Sequence, residues 1–439
     1  MQTKYLIVGN SAGGIGAAEA IRQVDKAGAL TIVSEEPYPA YSRPLISKYL
    51  ARERTLEEIL LRPPDFYDQN NVLFLPGKRV TQVEPSHQSV QLDNGECINW
   101  EKLLLAVGGK PIFPKMKGSA KRGVFVFTKL DDAKTVARFL DNARKAVVIG
   151  GGLIGISVTE ALVKRRVDVT IVEMKERILN TVLDQQASLM AEEVLKQAGV
   201  EIITGHTVVE ISGRETVEGV TLDNGVTAPC DLVLVAIGVS PRLELALEAK
   251  LELNRGIVVD RYMATNHPNI YACGDVAEAY DFVYGENRLT PIWPNAYIGG
   301  RIAGFNMAGV TTEYPGGTAM NSVNYFGFDI TAAGTPTIPD NNGCEVMSRQ
   351  EGRTYQKVIL KDNLIIGMIL VGNIEKSGVI FSLMKDRVNV ESFKQSLLMD
   401  EFGLAFLPQA LWHEKLETPR PFFRSALPTQ DEEGTVAGE

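Results

Sequence analysis

The sequence predicts an α/β protein with two Rossmann-like nucleotide-binding domains and a C-terminal α+β domain. Two glycine-rich turns, within residues 9–16 and 150–155, each follow an apolar strand and precede a helical pattern. The strands after each turn repeat one plan, and this repetition stops near residue 314. A strand, a glycine turn and a helix in this order place a helix N-terminus against a pyrophosphate.

Composition argues against several classes of protein. A chain of 439 residues with 45% hydrophobic residues is expected to form two or three domains with large cores. Its 54 acidic residues outnumber its 45 Lys and Arg residues, which argues against nucleic acid as a partner. No apolar stretch approaches the roughly 20 residues of a membrane span, and the N-terminus runs directly into the first strand without a signal peptide. We therefore expect a cytoplasmic protein without a membrane span.

The cysteines and histidines are few and scattered. The sequence contains no C-x-x-C pair and no cysteine-rich metal or iron–sulfur pattern. A metal site is therefore not expected, and each of these side chains is expected to pack or to face solvent. They are Cys97, Cys230, Cys273, Cys344, His87, His206, His267 and His413.

The first glycine turn carries the features of a dinucleotide site. Gly9 permits the tight turn, Gly14 lets the helix pack on the strand, and Ser11 stands where a glycine usually lets a phosphate approach the backbone. The next strand, residues 29–33, ends at Ser34-Glu35-Glu36, and Glu35 can accept hydrogen bonds from ribose hydroxyls. The alternative is an ordinary strand–helix turn, because one glycine pattern alone is weak.

The segment after this unit is basic and turn-forming. Pro44 fixes a turn, Arg43 before it is biased to an extended conformation, and Ser47 is a candidate cap for a short helix. Arg43 and Lys48 lie close to the phosphate-binding turn, which suits an anionic cofactor; the alternative is that both are solvated surface charges. A later apolar strand ends in small residues at 106–109, which would let the backbone approach a flat ligand.

The second glycine turn is a complete G-x-G-x-x-G. Gly150, Gly152 and Gly155 follow a strand, and a helix continues to about Lys164. The next strand ends at Glu173, so strand, turn, helix, strand and acidic residue stand in the order that dinucleotide binding requires. Residues 111–118 read as a linker before this unit.

Two stretches after the first unit recur after the second. Val90–Gly95, with its hairpin-turn signal, is echoed by Val220–Gly225, and Leu103–Gly108 is echoed by residues 231–238. This internal repeat predicts two tandem nucleotide-binding domains.

The remaining chain adds a strand and a third domain. Residues 269–275 form an apolar strand that places Asp275 at a sheet edge; the alternative is a helix cap, with the chain continuing helically through 277–279. Trp293 begins a segment that leads into a small-residue helix. Residues 324–330, 357–360 and 364–370 are strand-like and 379–385 helical, which predicts an α+β domain, while the tail from residue 417 is expected to be disordered or to lie on a partner.

Five ordered blocks carry a resemblance to a known family: Gly9–Gly16, Leu103–Gly109, Gly150–Glu173, Leu232–Pro241 and Tyr271–Asp275. They resemble the signature blocks of the pyridine nucleotide–disulfide oxidoreductase superfamily over residues 1 to about 400. The resemblance implies that the first turn and the block of Asp275 bind FAD, and that the second turn binds NAD(P)H. It also implies that the third domain is an interface domain, commonly of dimers.

Two further segments resemble one group within this superfamily. Residues 43–48 resemble the R-P-P-L-S-K segment of oxygenase-coupled ferredoxin reductases and apoptosis-inducing factor, to which rubredoxin reductases and the flavin part of nitrite reductases are related. Residues 293–296 resemble the W-S-N-A block near the flavin of the same group. In that group the lysine lies beside the reactive edge of the flavin, which makes Lys48 the candidate catalytic residue.

The resemblance implies domain boundaries and a set of cofactor contacts. The FAD-binding domain takes residues 1–112 and 243–313, the NAD(P)H-binding domain 113–242, the interface domain 314–412 and a tail 413–439. The implied cofactor contacts are Gly9, Ser11, Ala12, Gly13, Gly14, Glu35, Arg43, Pro44, Lys48, Ala106, Gly108, Gly150, Gly152, Leu153, Ile154, Gly155, Glu173, Gly238, Gly274, Asp275 and Trp293.

The chain departs from the family pattern at three places. Disulfide reductases carry C-x4-C after the first unit, and peroxidases and oxidases carry one cysteine there, whereas this chain has Ser42 and no cysteine before Glu96. The acidic residue usually found two positions after the last glycine of the second turn is Ser157, and Glu160, one helical turn later, is the candidate substitute. Residues 106–108 read A-V-G instead of the common A-T-G. We expect this change to be tolerated, because the position requires only a small side chain.

These features predict an FAD-dependent NAD(P)H oxidoreductase that passes electrons from NADH through FAD to a rubredoxin, a ferredoxin or an iron–sulfur partner subunit. The alternatives are an NADH oxidase that reduces O2 at the flavin and an NADH-responsive redox-sensing binding protein. NADH is expected over NADPH, because Glu173 would repel a 2′-phosphate, although Lys175 and Arg177 temper that repulsion. A homodimer or hetero-oligomer is expected.

Overall fold

The computed structural model describes residues 1–141, 143–338, 343–409, 411 and 413. The helices in this part of the chain are α1 Ala12–Val24, α2 Ile46–Leu50, α3 Phe66–Gln69, α4 Leu130–Phe139, α5 Leu153–Lys164, α6 Gln185–Gln197, α7 Glu244–Glu248, α8 Trp293–Met307 and α9 Ser377–Lys385. Short 3₁₀ helices span Arg43–Leu45, Glu57–Ile59, Pro85–His87, Gly274–Val276, Lys394–Leu398 and Leu404–Phe406.

The strands are numbered along the chain. They are β1 Gln2–Val8, β2 Leu30–Ser34, β3 Val72–Pro76, β4 Val80–Glu84, β5 Ser89–Leu92, β6 Cys97–Leu105, β7 Gly109–Pro111, β8 Val124–Val126, β9 Lys145–Ile149, β10 Asp168–Glu173, β11 Glu201–Thr204, β12 Val208–Ser212, β13 Gly219–Leu222, β14 Thr227–Pro229, β15 Leu232–Val235, β16 Val239–Pro241, β17 Ile257–Val258, β18 Ile270–Ala272, β19 Ala277–Asp281, β20 Glu286–Leu289, β21 Met320–Tyr325, β22 Phe328–Gly334, β23 Cys344–Glu351, β24 Thr354–Lys361 and β25 Leu364–Val371.

The first sheet is built around β1. Its order is β3-β2-β1-β6-β5-β4, and β18 pairs with the end of β6. β6 is long enough to pair twice: its first residues run antiparallel to β5, and Leu103–Leu105 run parallel to β18. The parallel strands are apolar along their length because helices cover both faces of such a sheet. The carboxyl ends of β1, β2, β6 and β18 therefore meet at one edge, next to the start of α1.

The second sheet has the parallel order β11-β10-β9-β15-β8. It confirms a second Rossmann-like unit, with α5 leading out of the second glycine turn. The apolar core around this unit is shared with other parts of the chain, because it includes Ile46 and Leu50 of α2 and Tyr325 and Phe328 of the C-terminal sheet. Three segments that are distant in the sequence thus pack on one another beside the second glycine turn.

The internal repeat is confirmed at the level of single hydrogen bonds. In the first copy, the Leu92 amide donates to the Glu96 carbonyl at 2.8 Å; in the second, the Leu222 amide donates to the Val226 carbonyl at 2.8 Å. The turns close at Gly95 and Gly225, which both have φ of 84°. The same turn signal therefore folds the same way in both copies.

The C-terminal part is an antiparallel sheet, β21-β22-β25-β24-β23, with α9 beside it, and it confirms the predicted α+β character. The prediction of one strand over residues 324–330 is wrong. β21 ends at Tyr325 and β22 begins at Phe328, with Phe326 and Gly327 at φ 51° and 76°. Two residues of positive φ form a tight hairpin whose twist matches the strands, so the chain reverses there.

Two smaller predictions are also corrected. The helical alternative after Asp275 is wrong, because a 3₁₀ turn at Gly274–Val276 leads into β19, which pairs in a sheet with β17 and β20. Ser47 does not cap a helix: it lies inside α2, where its hydroxyl contacts another helix. Trp412 and the tail from residue 414 lie outside the described residues.

Two kinds of feature are absent from the described residues. None of their helices is both long and apolar enough to cross a bilayer. Within the same ranges, no three His, Cys, Asp or Glu side chains are placed to hold a metal ion.

Candidate functional site

The first glycine turn fits only glycine at two positions. Gly9 has φ of 123°, and a Cβ there would collide with the Ala106 carbonyl; a Cβ at Gly14 would collide with the Gly9 carbonyl. Ser11 is the N-cap of α1, but its side chain makes no capping hydrogen bond. The amides of the first turn of α1, which starts at Ala12, are therefore free of a side-chain cap, an arrangement that suits the binding of an anion.

The helix α8 packs closely against α1 behind this turn. A Cβ on Gly300 would collide with the Gly13 carbonyl, and a Cβ on Gly13 would lie 2.7 Å from Cys273 Sγ. Trp293 starts α8 and stacks on Tyr297 at 6.0 Å, and its buried Nε1 has no hydrogen-bond partner among the described residues. A buried N–H without a partner is rare unless a ligand or water satisfies it.

Glu35, at the end of β2, lies between two cations that the sequence analysis did not single out. Arg242 Nη1 is 2.8 Å and Lys129 Nζ is 3.5 Å from Glu35 Oε2. Burial opposes ionisation of Glu35, but the two positive charges outweigh it and hold the pKa of the carboxyl below its ordinary value. Arg242 directly follows Pro241, the last residue of the block Leu232–Pro241, so its position next to that block was an available signal.

Arg43 and Asp275 come together at the same sheet edge. Arg43 contacts Glu36 and donates to the Thr128 carbonyl at 3.1 Å. Burial raises the pKa of the Asp275 carboxyl, and the nearby Arg43 charge opposes that rise. Pro44 follows Arg43 in the 3₁₀ helix at Arg43–Leu45, so the turn predicted there is confirmed.

The small residues that follow the strands lie around this edge. Ala106 comes directly after β6, and its amide donates to the Val8 carbonyl at 2.9 Å. Gly108 comes two residues later and has open space where a side chain would stand, while Gly274 starts the 3₁₀ turn after β18. These half-buried positions lie at the sheet edge that Asp275 also occupies.

The second glycine turn repeats the geometry of the first. A Cβ at Gly150 would lie 2.5 Å from the Ala236 carbonyl, and one at Gly155 would collide with the Gly150 carbonyl. Gly152 is the N-cap of α5 and has nothing within 4 Å of its missing side chain. Leu153 and Ile154 begin the helix, so their amides border this open space. Gly238 lies just before β16, beyond the carboxyl end of β15.

Glu173 ends β10 beside this second turn. Its side chain is buried and accepts hydrogen bonds from the Gly151 amide at 2.7 Å and the Lys175 amide at 2.8 Å. Lys175 itself is exposed, and Arg177 Nε is buried without a hydrogen-bond partner among the described residues. The acidic residue thus lies where the family pattern places it, with each carboxylate oxygen holding one backbone amide.

Lys48 is anchored by carboxylates between the two units. Its Nζ is 3.1 Å from Glu160 Oε2 on α5 and 3.3 Å from Glu53 Oε2. Ser157, which stands where the family usually has an acidic residue, instead hydrogen-bonds Ser47 through the two hydroxyls at 2.7 Å. Glu160, one helical turn later than Ser157, therefore contacts Lys48 together with Glu53.

The four cysteines do not assemble a redox site. Cys97 is exposed, Cys344 is half-buried, and Cys230 and Cys273 are buried. Burial raises the pKa of both buried thiols to about 12, so they carry almost no thiolate at neutral pH. Cys273 is the cysteine nearest the first glycine turn, and it packs there as a small apolar residue.

The geometry fits two dinucleotides. Both turns have glycines packed so closely that a Cβ cannot be accommodated, and both begin a helix without a side-chain cap. Each turn is followed by a strand with a carboxylate at its carboxyl end: Glu35 directly follows β2, and Glu173 is the last residue of β10. The first site adds the unpartnered Nε1 of Trp293 and the buried carboxyl of Asp275.

Comparison with known proteins agrees with this geometry. Residues 3–300 match the family model for pyridine nucleotide-disulphide oxidoreductase, and residues 320–388 match the rubredoxin NAD+ reductase C-terminal domain. The chain is 33% identical over 407 residues to the epsilon subunit of NADH-dependent phenylglyoxylate dehydrogenase from Aromatoleum evansii, covering 92% of this chain and 96% of that one.

Two further relatives widen the comparison. The chain is 30% identical over 399 residues to the nitrite reductase [NAD(P)H] of Bacillus subtilis, but spans only 49% of that protein's length against 90% of its own. The solved structure of a covalent putidaredoxin reductase–putidaredoxin complex superposes with a TM-score of 0.82 and 26% identity, over 88% of this chain and 94% of that one. The chain therefore belongs to the pyridine nucleotide-disulphide oxidoreductase family, as an FAD-dependent oxidoreductase that uses NADH.

Proposed function

We propose that this protein passes electrons from NADH through FAD to a protein electron carrier: a rubredoxin, a ferredoxin or an iron–sulfur subunit of the same assembly. The observation that carries the proposal is the lack of a usable thiol beside the first glycine turn. Ser42 stands where disulfide reductases, peroxidases and oxidases of the superfamily carry a cysteine, and Cys273 is buried with a pKa of about 12. Electrons must then leave through the flavin itself to an outside acceptor.

The residues around the first glycine turn would hold FAD. The amides of the first turn of α1 would bind the pyrophosphate, because a helix N-terminus attracts anions. Glu35 would accept the adenosine ribose hydroxyls, with Arg242 and Lys129 keeping it ionised. Asp275 would bond the ribitol chain, and Trp293 Nε1 would gain a partner. Arg43, Pro44, Ala106, Gly108 and Gly274 would line the same site.

The second glycine turn would hold NADH. Leu153 and Ile154 begin α5 beside the open space at Gly152 and would present amides to the pyrophosphate. Glu173 would bond the ribose 2′-hydroxyl with the lone pairs that its two backbone amides leave free. Gly238, beyond the end of β15, would line this site. A like charge beside a 2′-phosphate is unfavourable, so this arrangement supports NADH over NADPH.

FAD held at this site would supply the chemistry of hydride acceptance from a nicotinamide and of single-electron release. The chain supplies orientation, a water-poor setting and charge. We assign to Lys48 the place beside the reactive edge of the flavin, where a positive charge favours the reduced form. The motif match at residues 43–48 and the ion pair that holds the Lys48 side chain between the two units support this assignment.

The domain division proposed for the chain is residues 1–112 and 243–313 for FAD, 113–242 for NADH and 314–412 for an interface domain. The sheet order supports it, because β18, from the second stretch, completes the first sheet on β6. We propose a homodimer or a hetero-oligomer; similarity to the epsilon subunit of a dehydrogenase supports the second form. The cytoplasm, where NADH is abundant, is the compartment that we propose.

The test compares electron acceptors on the purified flavoprotein. Anaerobic stopped-flow mixing with NADH measures flavin reduction, and turnover is then measured with rubredoxin, a [2Fe–2S] ferredoxin, ferricyanide and O2. We expect rapid flavin reduction and a carrier turnover about tenfold above that with O2. Affinity capture of the native protein tests for an iron–sulfur subunit in the same assembly.

Two results would contradict the proposal, and each would support a different function. Rapid turnover with O2 but none with any carrier would make the protein an NADH oxidase. Slow flavin reduction, a long-lived charge-transfer complex and a change of oligomeric state with NADH would make it a redox-sensing binding protein.

A further inference from the structure

Four charged side chains form a closed ring at the junction of α2 and α5. Lys48 pairs with Glu160 at 3.1 Å and with Glu53 at 3.3 Å, while Lys164 pairs with Glu160 at 2.9 Å and with Glu53 at 2.6 Å. Each cation therefore contacts both anions, and the ring carries no net charge. Lys48 is the member of this ring that the motif match places beside the flavin.

Glu160 is the buried member of the ring. Its side chain is 6% exposed, whereas those of Glu53, Lys48 and Lys164 are 37%, 31% and 33% exposed. A charge pair is screened far less when it is buried than when water reaches it, so the contact of Lys48 with Glu160 is the stronger of its two. The ring is thus anchored at Glu160 and open to solvent at Glu53.

The C-terminal hairpin holds Glu160 in place. The Phe326 amide donates to Glu160 Oε1 at 3.1 Å, the same oxygen that Lys164 contacts, and leaves Oε2 for Lys48. Tyr325 directly precedes Phe326 in the hairpin. Its hydroxyl donates a hydrogen bond of 3.2 Å to the carbonyl of Leu153, the first residue of α5. Two neighbouring residues of one hairpin therefore fasten both ends of a single helix segment.

We propose that Glu160, fixed by the Phe326 amide, is the positioning residue for Lys48, so that the C-terminal unit sets the charge beside the flavin. Ser157 occupies the place where relatives carry the acidic residue, and its hydroxyl is bonded to Ser47, so that place supplies no negative charge. The carboxylate that pairs with Lys48 is Glu160, one turn later on α5, where the Phe326 amide of the hairpin contacts it. The link to the flavin rests on the role proposed for Lys48; the positioning by Glu160 does not.

Chemical labelling tests the positioning without reference to activity. The holoprotein is treated briefly with an amine-reactive ester, and modification of Lys48 is quantified by mass spectrometry against exposed Lys26. We expect Glu160→Gln to speed Lys48 labelling about fivefold, because freeing an ammonium from a buried partner exposes it. Glu53→Gln, which leaves the buried partner intact, should change it less than twofold. Equal labelling in wild type and Glu160→Gln would overturn the proposal.

A glycine insertion tests the hairpin. One glycine inserted before Phe326 displaces its amide from Glu160, and we expect Lys48 labelling to rise as in Glu160→Gln. The matched control inserts one glycine into another two-residue turn of the same sheet, at Asp362 and Asn363, which both have positive φ. If both insertions have the same effect, the hairpin contact does not position Glu160.

The flavin midpoint potential tests the link to the cofactor. Glu160→Gln releases Lys48 from its position beside the flavin, and we expect the ratio of reduced to oxidised flavin at a fixed potential to fall about tenfold, which is about 30 mV for two electrons. The double variant Ser157→Glu with Glu160→Gln, which returns a carboxylate to the usual place, should restore the wild-type potential. A potential that stays unchanged while labelling rises would refute the role of Lys48 beside the flavin and keep its positioning by Glu160.

Discussion

Glu173 Oε2 accepts a hydrogen bond of 2.7 Å from the amide of Gly151, so the acidic residue at the end of β10 closes the second glycine turn. Its other oxygen accepts from the Lys175 amide at 2.8 Å. The carboxylate is buried, and each of its two oxygens accepts a hydrogen bond from a backbone amide. One side chain therefore both shapes the turn and places a negative charge where the adenosine ribose of NADH would lie.

The first prediction follows from this charge. We expect kcat/KM for NADH to exceed that for NADPH at least tenfold, because a 2′-phosphate would meet Glu173. Glu173→Gln should narrow the ratio by raising kcat/KM for NADPH, while Glu176→Gln, at an exposed neighbour, should leave it unchanged. Steady-state kinetics with both cofactors measures the ratio. Comparable values for wild type would show that Arg177 and Lys175 outweigh the carboxylate.

The second prediction concerns retention of FAD by Asp275. Asp275→Ala should weaken binding by about 1–3 kcal/mol, because it removes a hydrogen-bond partner from a buried site and leaves the ligand hydroxyl unpaired. That loss corresponds to a roughly 5- to 150-fold higher Kd, measured by fluorescence titration of the apoprotein with FAD. Glu286→Ala, at an exposed position on β20, is the matched control. Unchanged FAD affinity in Asp275→Ala would remove this residue from the site.

The third prediction is that no thiol takes part in electron transfer. Burial raises the pKa of Cys273 to about 12, and its sulfur packs against the backbone of Gly13. Iodoacetamide at pH 7 should therefore leave Cys273 unmodified in the folded protein, and Cys273→Ala should keep NADH-dependent ferricyanide reduction within about twofold of wild type. Loss of that activity with FAD still bound would restore a cysteine relay.

The fourth prediction is a dependence of stability on acid. Burial opposes ionisation of Glu160, but hydrogen bonds from Lys164, the Phe326 amide and Lys48 hold the pKa of its carboxyl below the ordinary value. A depressed pKa contributes stability above the ordinary value of about 4.3, and that contribution is lost as pH falls through the folded-state pKa. The Tm of wild type at pH 7 should therefore be higher than that of Glu160→Gln.

The pH dependence of this Tm difference provides the control. The Tm difference between wild type and Glu160→Gln should shrink as pH falls below about 4.3, as measured by scanning calorimetry. A difference of constant size from pH 7 to acid would mean that the introduced amide destabilises the protein through its shape and hydrogen bonding, and not through the lost charge.

The fifth prediction concerns a buried lysine of the C-terminal unit. Lys376 is 3% exposed, its ammonium donates to Gln356 Oε1 at 2.6 Å and to the Met399 carbonyl at 2.7 Å, and burial lowers its pKa to about 8. Between pH 8 and the ordinary value of 10.5 the unfolded chain binds a proton that the folded protein does not. Stability from this group therefore rises with pH in that window, by up to about 1.4 kcal/mol for each pH unit.

Tyrosines and thiols titrate in the same pH range and also change the stability. Comparison with Lys376→Met, which keeps those groups, isolates the contribution of Lys376. We expect the Tm of wild type to gain on that of Lys376→Met between pH 8 and 10. Parallel Tm curves for the two proteins over this window would show that Lys376 stays protonated when buried.

Local features of the sequence determined the fold and both dinucleotide turns. Gly9, Gly14, Gly150 and Gly155 lie at backbone contacts too close for a Cβ, a requirement that the spacing of the glycines expresses directly. Apolar runs predicted the buried parallel strands, because strands that are covered on both faces must be apolar along their whole length. The hairpin at Phe326 escaped detection because its turn lacks the Asn-Gly or Asp-Gly signal and sits within an apolar run.

Only the tertiary structure decided which charges meet. Lys48 and Glu160 are 112 residues apart, and Glu35 and Arg242 are 207 apart. No periodicity connects such residues; their distance depends on how the sheets, α2 and α5 pack on one another. Sequence spacing sets the direction of a side chain along its own helix or strand, but the partner across an interface is fixed by packing, which sums many weak contacts over the whole chain.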